Sequence, residues 1–335
     1  MVLGCAAASL DLAPSALAAF PGRNGLIAYT ADCWGLERIA TMRPDGTHQR
    51  LLRVNAPPCE DWSYHPELMF QARSPSWASD GRRVLFDFDL GFGNEVGFAV
   101  ADADGSHRTV VPLAPAASPA GEFQFRRSGP SFAPDGRHFA YERVAPPWTQ
   151  PEIWIASVDG REDRRLASGS SPRWAPDGRT IAYVAAARNP GTEQEREGGT
   201  WLMSARTGKP LRRLWRHSAG SLDWAPDGDH LVAAGAGVYI LRADGKGARP
   251  LSSRSRRIRS QLEAGRSAVW SPDGHRIAYV HERSVPDDSG EFGALVEIST
   301  ISARGTRARR IWKRVFGFDS DSPQPPPLSW QPRPR

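Results

Sequence analysis

The stretch SPRWAPDGRTIAY at residues 171–183 recurs around the chain and decides the fold. The other copies are SPSWASDGRRVLF at 74–86, GPSFAPDGRHFAY at 129–141, SLDWAPDGDHLVA at 221–233 and SAVWSPDGHRIAY at 267–279. Their aromatic anchors are Trp77, Phe132, Trp174, Trp224 and Trp270, and Trp330 in LSWQP is a sixth. Successive anchors are 42 to 60 residues apart, a period that is typical of propellers and solenoids.

The copy at 171–183 predicts two strands that are joined by a tight turn. Residues 172–174 are an extended run, the Pro-Asp-Gly that follows favours a turn, and 180–184 is rich in β-branched and aromatic residues. Two more strands are predicted at 200–204 and 211–215. Each repeat is therefore a four-stranded antiparallel sheet of strands a, b, c and d. Such sheets bury both of their faces when copies pack radially around an axis.

A second turn is repeated between strands c and d. It contains Asp45-Gly46, Asp104-Gly105, Asp159-Gly160 and Asp244-Gly245, with Arg304-Gly305 as a variant. Asp-Gly between alternating strands is a strong hairpin signal, and a two-residue hairpin loop of this kind requires positive φ at both residues. The pattern therefore predicts a two-residue hairpin loop at each c–d connection.

The two ends of the chain carry complementary halves of one repeat. Residues 24–29 match the start of strand b but follow no aromatic anchor, whereas Trp330 is an anchor with no Asp-Gly after it. Residues 329–331 are therefore predicted to be the innermost strand of a blade that 26–30, 37–43 and 49–54 complete. The expected fold is all-β: a six-bladed β-propeller of four-stranded antiparallel blades, in which N- and C-terminal strands share one blade and close the ring.

The repeated phrase W-[SA]-P-D-G-x-x-[IL]-A-[YF], followed by the second Asp-Gly, resembles the TolB-like six-bladed propeller repeat, a WD40-like or PD40-type repeat. The resemblance covers 24–332, with departures at Phe132 for Trp, at Ser79 for Pro, and at 331–333, which lack Asp-Gly. It implies a binding scaffold, although similar propellers also occur inside enzymes. TolB has an additional domain before its propeller, and no equivalent is expected here. Its partner-binding role is therefore not transferred.

Composition restricts the class of protein. The chain has 335 residues, of which 40 % are hydrophobic, and no run of about 18 apolar residues predicts a membrane span. The formal net charge is +6, but acidic residues are interspersed with the basic ones, so no basic stripe for nucleic acid is expected. The repeats assign 20–335 to a single propeller domain, for which we expect a monomer.

Residues 1–19 differ from the rest of the chain. They contain seven alanines, one Asp and no Lys or Arg, and Ala16-Leu17-Ala18 has the small-x-small pattern of a signal-peptidase site. We interpret 1–19 as the remnant of an export signal, with a disordered Ala-rich tail as the alternative. The protein is then periplasmic or extracellular. In an exported chain Cys33 and Cys59, the two cysteines beyond residue 19, are expected to form a disulfide.

Strand direction divides the connections between two faces of the propeller. The Asp-Gly turns of the a–b and c–d connections form the tight-turn face, and the b–c and d–a connections form the opposite, long-loop face. The long-loop face consists of residues 53–73, 112–129, 145–151, 185–199, 252–266, 282–293 and 314–326. Variable loops on a rigid scaffold are common binding sites. Trp34, Trp62 and Trp148 fall in these loops, where they either contact a ligand or pack within the loop.

Two charged residues precede their anchors by one position in adjacent repeats, Arg173 before Trp174 and Asp223 before Trp224. Opposite charges at equivalent positions are expected to face each other, either as a structural pair between blades or as ligand-binding groups in the axial channel. Both are therefore candidate binding residues, together with Trp34, Trp62 and Trp148.

Motifs for catalysis and metal binding are absent from the sequence. Five of the eight histidines follow Asp-Gly turns in different repeats: His48, His107, His138, His230 and His275. There is no paired cysteine or His-x-x-x-His motif, and no Gly-x-Ser-x-Gly elbow occurs. No metal, cofactor or catalytic residue is assigned. The function expected is a secreted, non-catalytic scaffold that recognises a protein or glycan through its long-loop face. The alternative is a propeller enzyme, a lyase or hydrolase of envelope or extracellular glycan, with carboxylates at the axial mouth.

Overall fold

The computed structural model describes residues 20–33, 36–53, 71–89, 96–114, 125–146, 150–185, 198–235, 237–251, 258–259, 261, 265–286, 292–316 and 326–333. These residues form six four-stranded antiparallel sheets. The predicted six-bladed propeller is confirmed, including the blade that the two ends of the chain share.

Blade 1 is the shared blade, in the order β24-β1-β2-β3. Its strands are β1 Arg23–Cys33, β2 Leu36–Met42, β3 Arg50–Leu51 and β24 Leu328–Arg333. In the innermost pair Ile27 lies opposite Trp330, and Tyr29 lies opposite Leu328. The half-repeat at the end of the chain thus supplies strand a to the half-repeat at its start, as the sequence predicts.

Blades 2 and 3 follow the chain directly, from the axis outward. The strands of blade 2 are β4 Gln71–Trp77, β5 Arg83–Asp89, β6 Val96–Asp102 and β7 Thr109–Val110. The strands of blade 3 are β8 Arg126–Phe132, β9 His138–Val144, β10 Pro151–Ser157 and β11 Asp163–Ser168.

Blades 4 to 6 have the same order of strands. Blade 4 contains β12 Ser170–Trp174, β13 Thr180–Ala185, β14 Gly199–Ser204 and β15 Pro210–Trp215. Blade 5 contains β16 Ser221–Trp224, β17 His230–Gly235, β18 Gly237–Arg242 and β19 Ala248–Pro250. Blade 6 contains β20 Gly265–Trp270, β21 Arg276–Pro286, β22 Phe292–Ser302 and β23 Arg309–Phe316.

The apolar core lies between the blades. Each hydrophobic cluster combines residues of two neighbouring blades: Ala28 and Ile39 of blade 1, for example, pack with Trp77 and Phe86 of blade 2. Another cluster joins Tyr29 of blade 1 to blade 6, where its ring lies 5.6 Å from that of Trp312. Because a four-stranded sheet cannot bury both faces by itself, radial stacking supplies the missing contacts, and buried apolar area stabilises each interface.

The turn between strands c and d differs from the predicted two-residue loop. In blade 1 the N–H of Gly46 donates to the carbonyl of Arg43 at 2.9 Å, so Pro44 and Asp45 are the central residues. Gly46 has a φ of 85°, whereas Pro44 and Asp45 are not left-handed. The proline ring fixes a negative φ, which a loop with two left-handed residues excludes. The expectation of positive φ at both Asp and Gly is therefore wrong, and only Gly is left-handed.

Candidate functional site

A cavity of about 200 Å³ lies on the propeller axis. All six innermost strands contribute to its lining. The lining residues that come directly before each anchor are Ser76, Ser131, Arg173, Asp223, Val269 and Ser329. The position that precedes the aromatic anchor therefore faces the axis in every blade.

Hydrogen bonds from one blade to the next surround this cavity. In four blades the side chain before the anchor accepts a hydrogen bond from the backbone N–H of the anchor in the following blade. The pairs are Trp77 N to Ser329 Oγ at 3.1 Å, Phe132 N to Ser76 Oγ at 3.1 Å, Trp174 N to Ser131 Oγ at 3.1 Å, and Trp270 N to Asp223 Oδ2 at 2.8 Å. We call these contacts the anchor links.

Arg173 and Val269 interrupt the series, because neither side chain can accept a hydrogen bond. Between blades 4 and 5 the contact runs through the backbone instead, since Nε1 of Trp224 donates to the carbonyl of Arg173 at 3.1 Å. The guanidinium of Arg173 donates from Nη1 to the carbonyl of Pro172 at 2.9 Å. Within the described residues, the Arg173 side chain thus makes no hydrogen bond to blade 5.

A second set of contacts lies nearer the long-loop face. In blades 2, 3 and 4 the innermost strand has a bulge with one left-handed residue: Ser74 with φ 52°, Gly129 with φ 61° and Ser171 with φ 52°. The N–H of each bulge residue donates to a side chain on strand b of the preceding blade. The pairs are Ser74 to Thr30 at 3.4 Å, Gly129 to Asp87, and Ser171 to Glu142 at 3.2 Å.

The other three blades have apolar residues at the equivalent position of strand b: Val184, Ala234 and Val280. A polar side chain at this position of strand b thus occurs in blades 1 to 3 alone. Left-handed conformations of residues other than glycine are uncommon and cost free energy, and they tend to occur where function constrains the backbone. In this protein Ser74 and Ser171 hold such conformations and both line the cavity.

Three ionisable side chains line the cavity within the described residues: Glu142, Arg173 and Asp223. They belong to blades 3, 4 and 5, and each is partly buried with accessible surface remaining. Arg173 interacts electrostatically with both acids. No direct ion pair joins Arg173 to Asp223 or Glu142 in the described structure. The expected proximity of Arg173 and Asp223 thus occurs on the axis, without the direct contact of a structural pair.

Burial controls the protonation of these groups. Desolvation raises the pKa of the Asp223 carboxyl to about 7, although hydrogen bonds from Trp270 and Trp224 and the charge of Arg173 oppose this shift. Desolvation likewise raises the pKa of the Glu142 carboxyl above its usual range, against the N–H of Ser171 and the charge of Arg173. Asp223 therefore changes its charge near neutral pH, a property that is frequent at functional sites.

The two ends of the cavity differ. Phe20 lines the cavity and packs against the cluster that contains Ala78 and Phe132, two residues at the tight-turn end of their strands. Gly22 donates to the carbonyl of Pro272, at the tight-turn end of blade 6. Residues 20–22 therefore lie across the tight-turn end of the axis, whereas Ser171 and Glu142 lie toward the long-loop end.

Several residues that the sequence singles out lie outside the described residues: Trp34, Trp62, Trp148 and Cys59. Cys33 ends β1, and its side chain is outside the described part as well. Of the predicted binding residues, the structure brings Arg173 and Asp223 together. Sequence reasoning missed Glu142, although aligning strand b of all copies would have shown Thr30, Asp87 and Glu142 where the other copies are apolar.

The described residues contain no group of three or more His, Cys, Asp or Glu side chains that could hold a metal ion. Nor does any helix in the described part have the length and apolar character needed to cross a membrane. The tight-turn histidines form local contacts, such as His138 Nδ1 with Asp135 Oδ2 at 2.6 Å and His230 Nδ1 with Asp227 Oδ2 at 2.9 Å. His138 and His230 begin their strands at the tight-turn end, whereas the polar bulges of blades 2 to 4 lie toward the long-loop end.

Comparison with known proteins supports the fold. No protein-family model matches the chain, and no curated protein matches it. A chain of a nidogen–laminin complex is similar with a TM-score of 0.56 and 9 % identity, covering 92 % of this chain and 99 % of that chain. A putative TolB from Agrobacterium tumefaciens is similar with a TM-score of 0.53 and 15 % identity, over the same shares. At these identities the likeness concerns the fold alone, which is a six-bladed β-propeller.

Proposed function

We propose that the protein is an exported binding scaffold that takes a charged group of a protein or glycan partner into the axial cavity. The observation that carries this proposal is the convergence of Glu142, Arg173 and Asp223 on the axis. Structural needs do not account for Arg173, because serine satisfies the equivalent anchor links. A residue that departs from a local rule without a structural gain is a candidate for function.

The long-loop face is the proposed side of entry. Phe20 lies at the tight-turn end of the cavity, while the polar bulges at Ser74, Gly129 and Ser171 lie toward the long loops. Trp34, Trp62 and Trp148 belong to these loops in the sequence, and large aromatic residues are favoured anchors at interfaces. We therefore assign them to the rim that contacts the partner outside the cavity.

Export is part of the same proposal. Its basis is the composition of residues 1–19 and the pair Cys33 and Cys59. A disulfide between these cysteines would stiffen the long-loop face and reduce the ordering cost of binding. Intact-mass measurement after alkylation without reductant tests it: one closed bridge leaves neither cysteine alkylated. Two alkylated thiols would contradict both the bridge and the export that it implies.

A second candidate function is catalysis, and the pKa of about 7 for Asp223 favours it. A carboxylate with such a pKa can remove a proton from a substrate, and a neighbouring guanidinium can stabilise the negative charge that develops on the substrate. The volume of about 200 Å³ argues for the binding function, because it lies below the range of about 300–1,000 Å³ that is usual for small-molecule sites. Such a cavity admits a terminal group and not a sugar chain.

The experiment combines capture and turnover. The protein is immobilised, exposed to an envelope extract of its source cell and to a glycan array, and compared with Arg173→Ser, Trp62→Ala and Trp148→Ala. Partners that the wild type retains and all three variants lose by about tenfold or more support the proposal. His107→Ala on the tight-turn face is the matched control and should retain the wild-type partners.

Two outcomes would contradict the proposal. Partners that bind equally well to wild type and Arg173→Ser do not use the axial cavity. Turnover of a polysaccharide or peptide that disappears in Asp223→Asn, with binding retained, would establish the enzyme instead.

A further inference from the structure

The guanidinium of Arg173 has unused hydrogen-bonding capacity. Arginine carries five N–H donors in a planar fork. In the described structure one of them is used, by Nη1 toward the carbonyl of Pro172. The side chain retains accessible surface, and its residue lines the axial cavity. Donors remain available to an acceptor that enters the cavity.

The acids beside Arg173 are not fixed as permanent counterions. Asp223 and Glu142 influence Arg173 electrostatically but make no direct ion pair with it. Each already accepts a backbone N–H, from Trp270 for Asp223 and from Ser171 for Glu142. Burial raises the pKa of both carboxyls, that of Asp223 to about 7. At neutral pH the cavity thus holds a permanent cation beside a carboxyl that can become neutral.

We infer that the axial cavity binds a carboxylate group of the ligand at Arg173, and that Asp223 takes up a proton from solvent as the carboxylate binds. The inference rests on the proposed function and names the chemical class that the same site recognises. An incoming anion disfavours the ionised form of a nearby carboxyl, so binding and protonation of Asp223 support each other. Protonated Asp223 then donates a hydrogen bond to the bound carboxylate.

A carboxylate suits this site better than the alternatives. Its two oxygens match the guanidinium fork, and charge-assisted hydrogen bonds of this type are short and strong. A phosphate carries more negative charge and would require both Glu142 and Asp223 to be neutralised. An ammonium group would be attracted by the two acids but would face the unpaired charge of Arg173. The proton that Asp223 accepts removes the repulsion of a carboxylate while leaving Arg173 charged.

Two kinds of partner could supply the carboxylate: a peptide, through its C-terminus or an acidic side chain, or a glycan, through a uronic acid. The shared group is the same, so the probes must separate the sources. Acetate reports the group alone. A short peptide with a free C-terminus is compared with its C-terminal amide, and a hexuronic acid is compared with the neutral hexose.

Binding is measured by titration calorimetry and by tryptophan fluorescence, because Trp174, Trp224, Trp270 and Trp330 line the cavity. With a pKa near 7 for Asp223 in the free protein, wild-type affinity for acetate should be about tenfold weaker at pH 8 than at pH 6. Calorimetry in buffers of different ionisation enthalpy should show proton uptake above pH 7.

Two variants separate the roles of the residues. Asp223→Asn keeps an oxygen for the N–H of Trp270 and cannot ionise. Its affinity should be independent of pH between 6 and 8 and about tenfold above that of the wild type at pH 8. Arg173→Ser places a serine where blades 1, 2 and 3 already carry one and should weaken acetate binding at least tenfold at every pH.

Three results would overturn the inference: acetate affinity unchanged by Arg173→Ser, a pH dependence that persists in Asp223→Asn, or methylammonium or phosphate binding more tightly than acetate. These results are distinct from failure of the proposed function. If a partner requires Arg173 but acetate does not bind, the proposed binding function stands and the inference of a carboxylate ligand is wrong. If acetate binds at Arg173 but no partner depends on that residue, the carboxylate site stands and the proposed binding function is wrong.

Discussion

The two sides of the propeller axis use the same position differently. On the side of blades 1 to 3, Ser329, Ser76 and Ser131 each accept the anchor N–H of the next blade at 3.1 Å. On the side of blades 4 and 5 the position is charged: Asp223 still accepts an anchor N–H at 2.8 Å, but Arg173 accepts none. The serine side is explained by the fold alone, whereas the charged side is not.

The contrast shows how the repeats of one chain can indicate a candidate binding site by comparison with one another. Each blade serves as a reference for the others, because equivalent positions meet equivalent structural needs. Serine is a small acceptor that satisfies a buried N–H, which would otherwise cost free energy. A guanidinium at that position loses the link and gains donors that face the cavity. The absence of an anchor link at Arg173 is therefore a stronger reason to consider it a candidate binding residue than its charge.

The largest effect is expected from removing the strand that begins the serine side. Deleting residues 327–335 removes β24, with buried Leu328 and Trp330, and the anchor link from Ser329 to Trp77. Gln331 is lost as well, whose side chain bonds both Leu26 and Gly81. Loss of two buried side chains alone costs several kcal/mol. Thermal and chemical denaturation should show a much lower midpoint or no cooperative transition.

Ser329→Ala is the control for this deletion, since it removes the anchor link and retains the strand. It should lower stability by about 1–3 kcal/mol, because it leaves the N–H of Trp77 without its acceptor. A deletion variant that melts like the full chain would show that strand sharing does not close the ring.

The next effect concerns pH. The carboxyl of Asp223 has a pKa of about 7 in the folded protein and an ordinary value near 4 when unfolded. Between these values the folded state binds more protons, so the contribution of Asp223 to stability is present at low pH and is lost as pH rises toward 7. Relative to wild type, the stability of Asp223→Asn should therefore rise by about 2–3 kcal/mol between pH 5 and pH 8.

Urea denaturation of both proteins at these two pH values measures the change. The difference between the two proteins isolates Asp223 from Glu142, whose raised pKa contributes equally to both. A constant difference across the range would mean that Asp223 titrates at its ordinary value.

The sequence predicts the fold in detail because the repeat defines strands, turns and closure together. The position of Arg173 and Asp223 on the axis also follows from the sequence, since each precedes an anchor by one residue. The c–d turn was predicted wrongly because Asp is the second central residue of a turn that Gly closes, so only Gly is left-handed; in blade 1 Pro44 at the first central position excludes left-handed backbone as well.

Glu142 could not be placed on the axis from the sequence. It lies on strand b, and in the cavity its carboxylate accepts the N–H of Ser171, a left-handed bulge residue of the next blade. Bulges shift register by local geometry, which the apolar alternation of the strands does not encode. The role of the serines before the anchors could not be predicted either, because each hydroxyl accepts a hydrogen bond from a different blade.

A moderate loss is expected from Ser131→Ala on the serine side. The N–H of Trp174 loses its acceptor at the interface between blades 3 and 4, where this contact is partly buried. Leaving such a donor without a partner costs about 1–3 kcal/mol. Denaturation should show this loss without a change in the slope of the transition, because the surface exposed on unfolding stays the same. Stability equal to that of the wild type would remove the structural explanation of the serine side.

The smallest effect is expected from Arg173→Ser, which makes blade 4 resemble blades 1, 2 and 3. The new hydroxyl would stand where Ser131 accepts an anchor N–H, and so could accept that of Trp224, worth about 1 kcal/mol. The hydrogen bond from Nε1 of Trp224 to the carbonyl of residue 173 is retained, while the contact of the guanidinium with Pro172 is lost. These changes oppose each other, so the free energy of unfolding should stay within about 1 kcal/mol of the wild type. A loss above about 2 kcal/mol would show that Arg173 is a structural residue, and the contrast between the two sides of the axis would no longer indicate a binding site.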